Sequence, residues 1–487
     1  MELTIPGAVA SAAREFGGAV ALAEPGGPRL SYRQLSERVA TISGALIAGG
    51  IEPGDRVAIW SPNTYHWVLA ALGAVSAGAT LVPVSTRFTG PEALDVISRS
   101  GARALFVAGD FLGVDRLGAL HAAASRANGA LDELSLVVQI PGDWAAFERR
   151  AVAVPATEVR RRAAAVRPSD VSDILFTSGT TGRSKGAMTS HERTLAVARA
   201  WADCGQLTTD DRYLVVNPFF NSFGLKAGIL ACLVSGATLV PQAVFDAGEA
   251  MRLVEAEWIT VLPGPPTIYT SILDHPDRHL RDLSSLRLAV TGAADVPVAL
   301  VERMRRELSF DFVLTAYGLT EAVVATMCRP GDSPDTVART SGRAAAGFEV
   351  RIDDQTSEIL LRGPNLMLGY LDDPAATKAA IDDDGWLHTG DAGRLDPAGY
   401  LTITGRLKDM YICGGFNVYP AEVEQVLAQI EGVAESAVIG MPDPRLGEVG
   451  RAYLVARAGQ ELAEADVLAF CRERLANYKV PRRVELT

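Results

Sequence analysis

The run TSGTTGRSKG at residues 177–186 is the strongest clue to the architecture of this chain. It directly follows DILF at residues 173–176, which has the composition of a short buried strand. Glycines let successive amide N–H groups point at one anion, hydroxyls add donors, and Lys185 adds a mobile positive charge. The P-loop of nucleotide triphosphatases needs Ser or Thr after its lysine, whereas Gly186 follows Lys185 here. The sequence predicts a polyphosphate-binding loop, and the alternative is a flexible surface loop.

Length and composition restrict the class of protein. The chain has 487 residues, 48% of them hydrophobic, which is enough to bury more than one core. Its net charge of −12 argues against nucleic acid as the main partner. The five cysteines lack metal or redox spacing, which predicts reduced thiols. The N-terminus has no signal core, and the most apolar window, residues 224–240, is broken by Lys226 and glycines. We therefore expect a soluble, cytoplasmic protein that does not enter a membrane.

Strand and helix patterns alternate along the first two thirds of the chain. Residues 55–60 and 80–84 have strand patterns, and a Gly/Ala-rich helix, residues 67–77, lies between them. Four further buried strands are predicted at residues 212–216, 259–262, 287–290 and 312–315. This alternation indicates an α/β fold with largely parallel sheets. Residues 121–168 are rich in Ala and Arg, which predicts surface helices that link two halves of a large domain.

Unusual loops follow five of the predicted strands. They are residues 177–186, 217–220, 263–266, 291–294 and 316–321. Ligands of open α/β sheets bind outside the carboxyl ends of the strands, so we expect these loops to surround one pocket. Beyond residue 345, short strands at residues 359–362 and 400–404 indicate a small β unit. A helix at residues 420–430, two strands and a last helix at residues 464–475 indicate a second domain.

The loops and several later motifs, in the same order, resemble those of the adenylate-forming enzymes, or ANL superfamily of AMP-binding enzymes. The matching motifs are the 177–186 run, GAA at 292–294, YGLTE at 317–321, WLHTGD at 386–391, Arg406 and GGFNV at 414–418. The resemblance covers nearly the whole chain and implies an acyl-CoA synthetase-like fold. A large N-terminal domain, residues 1–405, would contain two α/β subdomains and a small β-barrel unit. A small, mobile α+β C-terminal domain, residues 406–487, would follow.

The resemblance implies an acyl-CoA ligase that uses ATP or an acyl-adenylate, CoA and Mg²⁺. Catalytic roles would fall to Thr180, Lys185, Thr320, Glu321, Gly414 and Gly415. Nucleotide contacts would fall to Thr177, Ser178, Gly179, Thr181, Gly292, Ala293, Ala294, Ala316, Tyr317, Gly318, Asp391 and Arg406. The acyl pocket would involve Asn221, Ser222, Phe223, Gly264, Pro265, Gly318, Ala322 and Val323. Glu321 would hold the metal ion, and Lys408 would be the hinge between the domains.

These residue types suit that chemistry, but several have an ordinary structural alternative. An aromatic ring can stack on adenine, and a carboxylate suits a hard cation such as Mg²⁺. Glu321 would equally suit the first turn of a helix, where an acid favours the helix dipole. Asp391 could be a turn residue, and Gly414-Gly415 a tight β-turn. Lys226 is predicted to be a solvated helix residue rather than a charge at the pocket rim.

Three segments, residues 170–176, 226–232 and 410–420, resemble actinobacterial ligases of ring-bearing propanoates from steroid breakdown. This implies a bulky polycyclic acid, from a steroid fragment or a terpenoid, rather than a straight fatty chain.

Two features depart from the family pattern. Asn221 stands where a histidine usually gates the acyl pocket, and the terminal Gly-Lys segment that serves adenylation is not reached by Thr487. Because it stops before that terminal segment and shares the ring-acid likeness, the chain also resembles a ligase of the platensimycin and platencin pathways.

The absent lysine leads us to expect an enzyme specialised for the reaction of acyl-adenylate with CoA. A separate adenylating enzyme would then be a partner. One alternative is a complete ATP-dependent ligase whose tail lies beyond Thr487, and another is a non-catalytic adenylate-binding protein. The sequence leaves open whether the protein forms a homodimer.

Overall fold

Helices and strands alternate as predicted through most of the computed structural model. It describes all residues except 1, 127–130, 178–183, 293–295, 297, 414–415, 444, 458, 476 and 487. The α-helices are α1 (Ile5–Glu15), α2 (Tyr32–Ala48), α3 (Tyr65–Ser76), α4 (Gly90–Arg99), α5 (Arg116–Ala124), α6 (Trp144–Arg149), α7 (Ala156–Ala165), α8 (His191–Cys204), α9 (Ala231–Ser235), α10 (Ala247–Glu257), α11 (Pro266–Leu273), α12 (Val298–Glu307), α13 (Pro334–Arg339), α14 (Pro374–Ala380), α15 (Pro420–Leu427) and α16 (Glu464–Arg474). A π-helix, Phe223–Leu230, leads directly into α9.

The strands of the two α/β layers come first along the chain. They are β1 (Val20–Ala23), β2 (Arg29–Ser31), β3 (Arg56–Trp60), β4 (Thr80–Pro83), β5 (Ala102–Ala108), β6 (Asp110–Phe111), β7 (Val114–Asp115), β8 (Leu136–Ile140), β9 (Val171–Thr177), β10 (Lys185–Ser190), β11 (Arg212–Val215), β12 (Thr238–Pro241), β13 (Leu288–Gly292), β14 (Phe312–Tyr317), β15 (Thr326–Met327) and β16 (Arg343–Ala344). The later strands are β17 (Glu349–Ile352), β18 (Glu358–Arg362), β19 (Gly369–Tyr370), β20 (Leu387–Leu395), β21 (Leu401–Arg406), β22 (Tyr411–Cys413), β23 (Phe416–Val418), β24 (Val433–Asp443), β25 (Gly447–Ala456) and β26 (Arg483–Leu486).

The strand that carries the predicted phosphate loop lies inside a seven-stranded sheet. Its strand order is β19-β10-β9-β4-β3-β5-β8, and β3, β4, β5, β8 and β9 pair in parallel. The expected surface helices at residues 121–168 are wrong in one part, because β8 forms the edge of this sheet. Its alternate residues Leu136, Val138 and Ile140 are buried, whereas Val137 between them is exposed.

A second α/β layer contains most of the other strands whose ends were expected to form the pocket. Two four-stranded sheets, β11-β12-β1-β2 and β13-β14-β15-β16, are joined at Val261, which forms single parallel bridges to β11 and to β13. Gly264 forms one further bridge to β13. The predicted strand at residues 259–262 is therefore reduced to isolated bridges. Pro263, Pro265 and Pro266 follow it, and proline has no N–H with which to extend a ladder.

The last third of the chain contains two smaller sheets. Strands β17-β18-β20-β21 form the small β unit, and β22 to β26 form a sheet covered by α15 and α16. The second of these sheets has its own hydrophobic core, which includes Tyr411, Val423 and Leu454. Helix α15 ends at Leu427, three residues before the predicted end. Within the described part of the chain, no helix has both the length and the apolar character to cross a membrane.

Candidate active site

The ends of β11, β13 and β14 and the loop after Val261 lie side by side. Asn217 donates a hydrogen bond from Nδ2 to the carbonyl of Pro263, at 3.0 Å. The amide of Gly264 donates to the carbonyl of Val290, also at 3.0 Å, and Gly292 pairs with Ala316. Four of the five predicted loop positions are thereby brought together at the carboxyl edge of one layer.

Glycine is required at two of these positions by close backbone packing. A Cβ atom added at Gly292 would lie 2.3 Å from the carbonyl oxygen of Ala316. At Gly318 it would lie 1.8 Å from the carbonyl oxygen of Val323, whose own φ is 60°. The loop after β14 therefore folds back tightly on itself, and Glu321 lies within the turn at residues 320–322.

Tyr317 and Asp391 are joined although they lie far apart in sequence. The Tyr317 hydroxyl donates to Asp391 Oδ2 at 2.7 Å, and Arg406 Nε lies 3.4 Å from Asp391 Oδ1. Asp391 and Arg406 face each other across β20 and β21. Burial raises the pKa of the Asp391 carboxyl, while the hydrogen bond from Tyr317 and the charge of Arg406 lower it. The result is a largely buried acceptor beside an aromatic ring, which suits the hydroxyls of a ribose.

Glu321 is held by a residue that the sequence did not single out. The Tyr370 hydroxyl donates to Glu321 Oε1 at 2.7 Å, and Lys185 Nζ lies 5.1 Å from the centre of the Tyr370 ring. Burial, followed by the charge of Glu321, raises the pKa of Tyr370. Tyr370 belongs to the two-residue strand β19, so no local pattern could have identified it. The Tyr370 side chain therefore contacts both Lys185, at the end of the phosphate loop, and Glu321, in the loop after β14.

The alternative that Glu321 lies in the first turn of a helix is wrong. Residues 320–322, which include Thr320, form a turn and not the start of a helix. Among the residues described, no group of three or more His, Cys, Asp or Glu side chains is suited to hold a metal ion. Glu321 would hold Mg²⁺ through its carboxylate, because Mg²⁺ in nucleotide sites usually takes one or two protein carboxylates and draws its other ligands from phosphate oxygens and water.

The two ends of the predicted phosphate loop are closed by an antiparallel pair. Thr177 at the end of β9 lies opposite Lys185 at the start of β10. Arg99 donates to the carbonyl of Ser184 at 2.8 Å and lies over the Phe176 ring.

The predicted site residues Ser178, Gly179, Thr180, Thr181, Ala293, Ala294, Gly414 and Gly415 lie outside the described residues. Lys408 is exposed between β21 and β22.

The predicted acyl-pocket residues fall into an exposed and a buried group. Asn221, Ser222, Phe223 and Pro265 are half-buried and Gly318 is exposed, whereas Gly264, Ala322 and Val323 are buried. Asn221 Oδ1 accepts a hydrogen bond from the amide of Gly224 at 2.9 Å, which caps the start of the π-helix. The Phe223 ring packs edge-on against Trp201.

Lys226 was predicted to be solvated, and this is wrong. Its side chain is 0% exposed, and its Nζ lies 2.9 Å from Oδ1 of Asp173, whose side chain is 2% exposed. A lysine is rarely buried without such a partner. The sequence pattern could not reveal the pairing, because the two residues belong to different layers.

Comparison with protein-family models decides what this site belongs to. The model described as AMP-binding enzyme matches residues 9–371, and that of the AMP-binding enzyme C-terminal domain matches residues 422–487. The chain belongs to the AMP-binding enzyme family.

Relatives in this family are similar to the chain over nearly its full length. A 3-[(3aS,4S,7aS)-7a-methyl-1,5-dioxo-octahydro-1H-inden-4-yl]propanoyl:CoA ligase of Rhodococcus jostii is 60% identical, covering 99% of this chain and 94% of the relative. A ligase of the same name from Mycobacterium tuberculosis is 61% identical over 94% of this chain and 90% of its own. The anthranilate CoA ligase AuaEII, solved in complex with anthranoyl-AMP, has a TM-score of 0.88 and 27% identity, covering 100% and 94% of the two chains.

The predicted fold and enzyme class are confirmed by these similarities. This AMP-binding enzyme is an acyl-CoA ligase, which argues against the non-catalytic alternative. The likeness to actinobacterial ligases of ring-bearing propanoates is confirmed as well.

Proposed function

We propose that this enzyme forms the CoA thioester of a bulky polycyclic propanoate through an acyl-adenylate. The observation that carries the proposal is the 60% identity to a relative whose name specifies a propanoyl group on a fused two-ring ketone. Relatives named for feruloyl and long-chain fatty substrates are 36% and 32% identical. The chain is thus much more similar in sequence to the ligase named for a ring-bearing propanoate than to the ligases named for the other two substrate classes.

The site geometry suits the two chemical steps of such a ligase. In the first step, a carboxylate oxygen of the acid attacks the α-phosphorus of ATP, and pyrophosphate leaves. In the second, the CoA thiol loses its proton and attacks the acyl carbon, and AMP leaves. Asp391 would accept hydrogen bonds from the ribose, and Lys185 would offer its charge to the phosphates. Mg²⁺, held by Glu321, would neutralise phosphate charge when bound.

The acyl group would extend toward the start of the π-helix. Asn221 and Ser222 follow the end of β11, and Pro265 follows Gly264, which bridges to β13. Asn221 already binds the amide of Gly224, so its side chain is directed by the backbone and is smaller than a histidine. A rigid ring system would occupy the space beside these residues.

Competition between two acyl-adenylates tests the substrate class. The ring-bearing propanoyl-adenylate and palmitoyl-adenylate are mixed with CoA and enzyme, and the two thioesters are measured by mass spectrometry. We expect the ring compound to be favoured in kcat/KM by about tenfold or more, because a shaped apolar pocket discriminates by 10–200-fold. A preference for palmitoyl-adenylate would instead indicate a generic fatty-acid ligase.

Specialisation for thioester formation, with adenylate supplied by a partner enzyme, stays a prediction. It is tested by measuring AMP release from acyl-adenylate plus CoA, and pyrophosphate release from ATP, Mg²⁺ and acid. The specialised enzyme would be fast in the first assay and far slower in the second. Comparable rates in both assays would establish a complete ATP-dependent ligase.

A further inference from the structure

Two segments that carry the likeness to ring-propanoate ligases meet inside the protein. Asp173 lies on β9, four residues before Thr177, and Lys226 lies on the π-helix. Their charged atoms are 2.9 Å apart, and both side chains are removed from solvent. Neither residue has a role in the two chemical steps, so the pair requires a separate explanation.

The orientation of the Asp173 carboxylate is fixed by hydroxyl donors. Ser172 donates to Oδ2 at 2.6 Å, and Thr194 on α8 donates to the same oxygen at 3.0 Å. Oδ1 is thereby left to face Lys226. His191, at the start of α8, does not compete as a cation, because burial lowers its pKa to about 4. The carboxylate therefore keeps one oxygen without a hydroxyl donor, and this oxygen lies 2.9 Å from Lys226 Nζ.

Lys226 lies on the π-helix whose start would border the proposed acyl pocket. A π-helix hydrogen-bonds from residue i to i+5, so Lys226 lies about one turn beyond Asn221 and Ser222. The Tyr213 hydroxyl donates to the carbonyl of Ala227 at 2.7 Å, which satisfies a backbone acceptor of the wide turn. Movement of Lys226 would consequently move the pocket-lining residues.

The starting loop of this helix has little freedom of its own. A Cβ atom at Gly224 would lie 2.1 Å from the carbonyl oxygen of Pro218, so the helix start is packed directly on the loop after β11. The ion pair then fixes the other side of the same turn to β9, the strand that runs into the phosphate loop. One buried contact thus connects the wall of the acyl pocket to the strand that leads to the phosphates.

We propose that Asp173 and Lys226 are positioning residues that set selectivity for ring-bearing acyl groups, by holding the π-helix against β9. A rigid ring acid cannot bend to follow a displaced wall, whereas a flexible chain can. Loss of the pair therefore penalises the ring substrate more than the linear one. This inference rests on the proposed function, because it concerns the same acyl pocket. The alternative is a pair that serves folding alone.

The test uses the double variant Asp173→Asn/Lys226→Met, in which no buried charge is left unpaired. Asparagine keeps an acceptor oxygen for Ser172 and Thr194, and buried ion pairs replaced by neutral groups often leave stability unchanged. We expect the kcat/KM ratio of ring-bearing to palmitoyl adenylate to fall about tenfold, since small displacements of a bound group have effects of this size or larger. Binding of AMP, measured by calorimetry, should stay within about twofold because the ribose contacts are intact.

An unchanged ratio in the folded double variant would overturn the proposal and leave a folding role. If the double variant does not fold, Thr194→Val decides the matter, because it removes one donor to Asp173 and keeps both charges. A ratio lowered by about threefold or more would support positioning, because the lost hydrogen bond goes to a charged carboxylate and is stronger than a neutral one. An unchanged ratio in this variant would again contradict the proposed positioning role.

The ratio of the unmodified enzyme is measured first. A palmitoyl preference there refutes the proposed substrate class, while the effect of the variants on that ratio still tests positioning.

Discussion

Replacing Lys226 with methionine is expected to lower the free energy of unfolding by about 3–5 kcal/mol, because it leaves the buried Asp173 carboxylate without its cation. Both side chains are almost fully removed from solvent, so water cannot replace the lost partner. Methionine has nearly the same shape as the lysine stem, which keeps the loss of packing small. The measurement is urea unfolding followed by tryptophan fluorescence.

Two controls separate the effect of the unpaired charge from other effects of the substitution. The double variant Asp173→Asn/Lys226→Met should recover most of the lost stability, because it contains no unpaired buried charge. Lys378→Met should change stability by less than about 0.5 kcal/mol, because the Lys378 side chain is 79% exposed and its nearest carboxylate is 4.0 Å away. A loss below about 1 kcal/mol for Lys226→Met alone would show that the buried pair does not behave as a desolvated ion pair.

Replacing Asp391 with alanine is expected to weaken binding of a non-hydrolysable ring-bearing acyl-adenylate analogue by about 10–100-fold. Hydrogen bonds to a charged acceptor contribute about 1.5–3 kcal/mol, and each 1.4 kcal/mol corresponds to a factor of ten. The structure supports such a role, because the carboxylate is largely buried between Tyr317 and Arg406. Isothermal calorimetry measures the affinity directly.

Matched variants identify which atom causes the loss. Tyr317→Phe keeps the ring and removes the hydroxyl that donates to Asp391, so it should reduce affinity less than Asp391→Ala does. Asp383→Ala removes an acid of the same β unit whose side chain is 92% exposed, and it should leave affinity unchanged. Thermal melting of each variant shows whether it is folded. Undiminished binding by a folded Asp391→Ala protein would place the nucleotide elsewhere.

The parts of the fold that were predictable from sequence are those encoded by local patterns. The apolar runs before residue 177 and at 312–315 are short and lead into loops that contain glycine, and both form the expected strands β9 and β14. Strand β8 was missed because its alternating apolar residues lie inside a segment dominated by Ala and Arg. The prolines after residue 262 explain why a strong strand pattern there forms only single bridges.

The parts of the site that could not be predicted depend on contacts between distant segments. Tyr370 reaches Glu321 across 49 residues of sequence, and it does so from a strand of only two residues. The hydrogen bond from Tyr317 to Asp391 spans 74 residues and joins two sheets. Lys226 was misjudged for the same reason, since a lone lysine in an apolar helix gives no sign of a carboxylate in another layer.

A crystal structure with a ring-bearing acyl-sulfamoyl adenosine bound would test the assigned nucleotide and acyl sites together, because this stable compound mimics the acyl-adenylate. We expect the two ribose hydroxyls to lie within hydrogen-bonding distance of the Asp391 carboxylate. We also expect the ring system to lie between the start of the π-helix at Asn221 and the loop at Pro265. An adenosine group bound away from Asp391, or a ring system outside that space, would contradict these assignments.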